Sequence, residues 1–588
     1  MKKLLIMLMT ALLILSGSGC SFISTPPAKT ENQQFNDFTD SLLTKFYSSG
    51  DINIIFDFIE PEKYGLKLEE PDLTILSYAD YEALAKDYAD ILKELKTYKL
   101  KDLTLTQQET YKVIEYNLQS VIDGLDFYYF NSSELGSFIG TNCDLPYIFI
   151  AWPLLSKESL EHMIKVIDNL PVTFQNYIDF EIAKQEKGLP ASEPTYKGIA
   201  SQAQEVVNAG TNYFLIEQLP NRVDEVPGLT AAEVSSYKKR IKDSLIKNYL
   251  SAYELIATQI PALADKSPNL SKTGLKHFKK GTDYYAYLLK YNVGVNDSAS
   301  KIYNYLNKKV DATLKEFRDI YAAHPNEVDA YYTNGGKDSL TLYESDDFKD
   351  MIEYLATAYE DGFPKIEKPK YILEEIDASL QENFSPAAFF SPPVDKAYTN
   401  LVLVNPSKMS PDTFYTIAHE TYPGHLLQFN YADQSDLPLI RKVFHVTGYA
   451  EGWAVVAEHY SRNFVKGNDD YLLRMAQLDD DFFYILWAMI DIGVNDKGWG
   501  LKETRDLIAK YYGDNISEED AEYYFNVIQE NPTNMLQYYY TYYLMEDYRA
   551  DFKNRLKGSY SDMLFHQSIL EVGSVPLFIL KEHLDSIK

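Results

Sequence analysis

Apolar residues recur at three- and four-residue spacing over Tyr81 to Lys99, Glu109 to Tyr128, Glu158 to Gln185, Ala231 to Ile260 and Ala299 to Ala323. That period places one apolar stripe on each helix and predicts a mainly α chain from about residue 36 onward. The connectors carry turn-forming residues: Lys187-Gly188-Leu189-Pro190, Asn334-Gly335-Gly336 and Asp361-Gly362-Phe363-Pro364. One stretch departs from the helical pattern. Phe384-Ser385-Pro386-Ala387-Ala388-Phe389-Phe390-Ser391-Pro392-Pro393 reads as extended or turn-like, because each proline pushes its predecessor out of the α region. The β-branched run Tyr398 to Asn405 that follows has strand length and predicts a small β element. If this strand lies at a sheet edge, it could bind extended peptide by strand addition. There is no internal repeat.

The N-terminus follows a different pattern. Met1-Lys2-Lys3 precedes an apolar run from Leu4 to Leu15, too short to span a membrane and suited to a signal peptide. Leu15-Ser16-Gly17-Ser18-Gly19-Cys20 resembles the bacterial lipoprotein processing site, although Gly17 stands where Leu is usual. The expected organisation is a signal peptide at 1–19, a lipid-anchored polar tether at 20–35 with Cys20 lipidated, and one catalytic domain over 36–588. This implies an exported protein held at the cell surface through its N-terminal lipid alone. Cys143 is the one other cysteine in the sequence, so cysteine-based metal sites are excluded.

Composition narrows the function. Hydrophobic residues make up 45% of the 588, enough for a large core. A formal charge of −30 disfavours nucleic-acid binding and electrostatic docking on anionic lipid. Tyrosine is abundant, at 49 residues, which suits a partly hydrated internal cleft.

Histidine is scarce, yet four of the nine (His419, His425, His445 and His459) fall within 41 residues, where even scatter would put fewer than one. Imidazole and carboxylate are the usual zinc ligands where cysteine is absent. In the common His-Glu-x-x-His helix the two imidazoles share a face. His419 and His425 are six apart, which on a regular helix turns the second side chain about 120° away from the first. A distortion at Tyr422-Pro423-Gly424 is therefore required to bring His425 back, and Pro and Gly are the residues that permit one. Glu451 is the expected third ligand. On a helix it shares a face with Val455 and Glu458, so Glu458 could orient a ligand imidazole. Glu420 is the expected general base. His445 and His459 read as supporting or surface residues.

His-Glu-x-x-Pro-Gly-His-x-x-Gln, from His419 to Gln428, followed by Tyr449-Ala450-Glu451-Gly452-Trp453-Ala454, resembles the bacterial family known as domain of unknown function 885. The C-terminal Phe565 to Leu577 segment extends the likeness over most of the mature chain. The motif order is similar to that of gluzincin metallopeptidases. The resemblance implies a helical fold around a deep channel, one zinc ion per chain and hydrolysis of short or unfolded peptides. Where such proteins commonly show Pro-Gly-Gln-Ala-Leu-x-Tyr, this chain has Pro532-Thr533-Asn534-Met535-Leu536-Gln537-Tyr538. That alignment implies Tyr538 as the phenol facing the oxyanion and Arg549 as a binder of substrate carboxylate. Two other readings stay open: a zinc amidase or carboxypeptidase on cell-wall or amino-acid conjugates, and a non-catalytic peptide-binding lipoprotein.

Overall fold

The computed structural model describes residues 30–588 apart from 131–133, 268–273, 346, 377, 379–380, 382–384, 397–398 and 514–516. The expected signal peptide and Cys20 lie outside the described residues. Helix already begins at Gln33, inside the stretch expected to be tether, with Asn32 accepting the Phe35 N–H as its cap.

The fold is mainly α with one small sheet, and the long helices follow the apolar stripes. Residues Ala299–Ala323 form one helix, capped by Ser298 and burying Ile302, Leu306 and Val310 at four-residue intervals. Each such side chain contributes about 1.5–3 kcal/mol by leaving water. Lys157–Glu186 is another, opened by a reciprocal Ser156 and Ser159 cap. The stretch expected as one helix over Ala231 to Ile260 is interrupted. Ala231–Ser244 runs into a π turn at Leu245–Tyr249 and then into Leu250–Gln259. A π turn keeps apolar residues on the buried face while shifting their phase, so spacing alone does not reveal it.

The sheet has three strands: β1 (Tyr371–Glu375), β2 (Ala387–Phe390) and β3 (Asn400–Val404). Their order is β1-β3-β2, with β1 parallel and β2 antiparallel to β3. The run expected to offer a binding edge is thus the central strand, paired on both sides. Its burial explains its β-branched content, since Val402 and Val404 are fully enclosed. The edge near the histidine motif is β2, from the proline-flanked stretch.

Two large apolar cores organise the helices. One gathers residues between Ile54 and Ala264, the other residues between Val113 and Leu584. A cavity of about 750 Å³ lies between the first core's helices and the β2 end of the sheet, lined by Phe56, Tyr128, Tyr177 and Phe390 among others.

Candidate metal centre

The site rests on two helices separated by a short break: α1 (Thr413–Glu420) and α2 (His425–Gln434). Thr421 leaves helical geometry at φ −118°, ψ −100°, and the Tyr422–Pro423 bond is cis. Gly424 folds back so that its N–H reaches the Ala418 carbonyl at 3.0 Å. A Cβ at Gly424 would overlap the His419 carbonyl oxygen, so only glycine permits this approach. The expected distortion is therefore a complete break, and each half-helix carries one imidazole.

α3 (Thr447–Tyr460) crosses behind the break, and the Trp453 indole donates to the Gly424 carbonyl at 3.4 Å. Its Glu451 meets both histidines. Oε2 lies 3.5 Å from His419 Nε2 and 3.5 Å from His425 Nε2. One ligand atom from each of the three residues falls within 4.8 Å of the others. Glu451 Oε2 is buried and, among the described residues, has no hydrogen-bond partner. A buried, unpaired carboxylate oxygen facing two imidazole nitrogens is the donor set of a divalent zinc-type cation, and these residues fit one.

The outer nitrogens of both imidazoles are held. Glu458 Oε2 lies 3.3 Å from His419 Nδ1, and Gln428 Oε1 lies 3.3 Å from His425 Nδ1. Such partners fix the tautomer and ring orientation of a ligand histidine. Sequence reasoning missed the Gln428 contact, although its position three residues after His425 on one helix is the readable signal. Burial opposes charge on His419, but Glu451 and Glu458 outweigh it and hold the imidazole well above its ordinary value. Burial likewise opposes charge on Glu451, yet the two imidazoles hold its carboxyl well below the usual range.

Glu420 closes α1 beside the cluster. Burial raises its pKa, partly offset by His419, His425 and the backbone N–H of Phe389 on β2. Tyr538 sits on a π turn at Leu536–Tyr540 that packs against α3. Gly452 allows that packing, since a Cβ there would stand 2.6 Å from Thr541 Oγ1. The Tyr538 ring lies 6.2 Å from that of His419, nearly parallel, and its phenol interacts with Glu451. Burial, then the nearby Glu451 and Glu420 charges, keep that phenol protonated.

The remaining candidates lie elsewhere. His459 bonds to Asp481 at 2.8 Å and to the Val455 carbonyl at 2.9 Å, a structural pair. His445 packs against Phe429 at 5.3 Å, outside the ligand cluster. Arg549 pairs with Glu546 at 3.0 Å and Asp562 at 3.3 Å and lies over the Phe565 ring, so its guanidinium is engaged within the fold.

Comparison with known proteins places these observations. Residues 62–584 match the family described as "Bacterial protein of unknown function (DUF885)". No curated protein matches the chain. A crystal structure of a "putative lipoprotein" from Colwellia psychrerythraea superposes at a TM-score of 0.80 and 17% identity, covering 94% of this chain and 98% of that one. A second, a "putative lipoprotein of unknown function" from Shewanella oneidensis, superposes at 0.63 and 17% identity, covering 93% and 99%. Both share the fold. A "putative oligoendopeptidase F" structure from Bacillus anthracis str. Ames reaches only 0.32 at 11% identity, covering 88% and 93%, a likeness too slight to bear on fold or activity.

Proposed function

The chain belongs to the DUF885 family, and from that premise we propose that it is a zinc-dependent peptidase acting on short or unfolded peptides. The observation that carries this reading is the convergence of His419, His425 and Glu451 on one point, with Glu420 and Tyr538 beside it. His419, His425 and Glu451 would hold one zinc ion. Bound there, zinc would supply Lewis acidity to a water and to the scissile carbonyl.

The chain's own groups complete the chemistry. The Glu420 carboxylate takes a proton from the attacking water and delivers it to the departing amine nitrogen. Its raised pKa brings it nearer neutrality, where it can serve both as base and as acid. The Phe389 N–H holds one carboxylate oxygen in place. Tyr538, protonated throughout, donates its O–H to the oxygen that gains charge as the carbonyl becomes tetrahedral. The cavity of about 750 Å³ beyond Phe390 offers room for residues flanking the cleaved bond. The lipoprotein names of the two structural neighbours support an exported, lipid-anchored placement through Cys20. No described helix is long and apolar enough to cross a membrane.

Metal analysis of the purified protein, with wild type and Glu420→Gln assayed on a peptide library, tests the proposal. The expected result is stoichiometric zinc in both and peptide cleavage in wild type alone. Lack of zinc, or equal cleavage by the variant, would sink it.

A further inference from the structure

A second, smaller cavity adjoins α2 near the ligand cluster. It has about 30 Å³ of free space, and its wall includes Gln428, Arg441, His445, Asp57 and Asp433. Arg441 is 1% exposed. Its Nη2 donates to the Val572 carbonyl, whereas Nε and Nη1 have no hydrogen-bond partner. Among the described residues no carboxylate stands within ion-pair reach of Arg441. Glu109 acts on it only at longer range and is already engaged by His583 at 2.7 Å. On the same wall, Gln428 Nε2 is also buried without a partner.

All three orphaned groups are N–H donors, and two of them belong to a guanidinium that keeps its charge. A buried charge with no counter-ion and with part of its donor set unpaired is a costly arrangement in a fold. A water molecule could accept a hydrogen bond here but would leave the charge uncompensated. Asp57 and Asp433 also line the cavity, but neither forms an ion pair with Arg441. Burial pushes their carboxyls up, to about 6 and about 7. Asp57 accepts from the Tyr47 hydroxyl at 2.7 Å, and Lys442 donates to backbone carbonyls of Asp433 and Ser435. His445, an exposed side chain, also lines the cavity.

We propose that Arg441 and Gln428 form a binding site for one small monovalent anion, either a free halide-sized ion or the terminal carboxylate of a bound substrate. The free space matches one such group. This cavity and the 750 Å³ cavity share Asp57, Ser391 and Pro392, so the two are neighbours across these residues. Gln428 also links the anion to the metal centre. With Nε2 donating to the anion, Oε1 is turned toward His425 Nδ1 and the imidazole is held in the orientation the metal needs. Gln428 is thus a positioning residue.

The test uses the mature zinc-loaded protein in chloride-free sodium sulfate buffer, with sodium chloride added at constant ionic strength. Thermal unfolding, zinc affinity by chelator competition, and anomalous scattering from bromide-soaked crystals are the readouts, and none requires turnover. A free-ion site gives a saturable rise in unfolding temperature and about tenfold tighter zinc binding. It also gives a bromide peak at hydrogen-bond distance from Arg441 Nε and Nη1. The zinc response is lost in Gln428→Leu, which leaves Arg441 in place should Arg441→Met fail to fold. A substrate-carboxylate site shows no halide response. Instead, the Glu420→Gln protein binds a free-acid peptide at least about tenfold more tightly than its C-terminal amide, each 1.4 kcal/mol being tenfold. Absence of both responses in wild type overturns the site, as does a response unchanged in Gln428→Leu and Arg441→Met. The halide arm stands independently of the peptidase reading. Its failure with peptide cleavage intact removes the free-ion site alone.

Discussion

Glu458 Oε2 stands 3.3 Å from His419 Nδ1, two turns of α3 beyond Glu451, which faces the opposite nitrogen of the same ring. One helix thus grips a single imidazole from both sides. Glu458→Gln retains an acceptor but removes the charge, and zinc affinity should fall on the order of 10- to 100-fold. Competition with a chromogenic chelator measures this, and an unchanged Kd would reject the orienting role.

Gly424→Ala is expected to remove the metal site. The added Cβ overlaps the His419 carbonyl oxygen, so the two half-helices must move apart. Bound zinc should drop well below one per chain while circular dichroism stays helical. Full zinc occupancy in the variant would mean that the break tolerates a side chain.

Thr533 has φ +74°, a region that penalises β-branched residues, although the turn leads directly to Tyr538. Its N–H donates to Asp491 at 2.7 Å, which helps hold the turn. Thr533→Gly should relieve strain and raise unfolding free energy by about 1 kcal/mol, read from the denaturant midpoint. A lower midpoint would show that packing of the buried threonine outweighs the strain.

Asp491 is fully buried and accepts from Tyr285 at 2.6 Å as well as from Thr533. Burial pushes its carboxyl up to about 7 despite those donors. The native state therefore keeps the proton through a range where the unfolded chain has released it. Between about pH 4 and pH 7 this group lowers stability as pH rises, and its effect is flat above that window. Asp491→Asn should remove that contribution, so the variant gains on wild type as pH rises from 4 to 7. Parallel stability curves would contradict the raised value.

The sequence disclosed the parts governed by local spacing. Ala299–Ala323 is the helix its apolar stripe predicted, and the six-residue interval between His419 and His425 called for a distortion where Pro423 and Gly424 stand. Long-range pairing was not legible. Residues 400–404 read as a strand, but their central position depends on Tyr371–Glu375 and Ala387–Phe390, and strand pairing leaves little local trace. Arg549 matched a motif, yet the neighbours Glu546 and Asp562 engage it within the fold. Arg441 carried no signal at all, because its unpartnered donors arise from elements far apart in the chain.

The break between α1 and α2 bears on how such centres can be found. Where both imidazoles share one helix, the helical pitch sets their separation, and a fixed four-residue pattern identifies them. Here a junction sets it, so that pattern passes over the site. The diagnostic feature is a glycine immediately before the second histidine, seated against the backbone of the first. In this chain the separation of the two imidazoles is therefore set at Gly424 and not by the pitch of one helix.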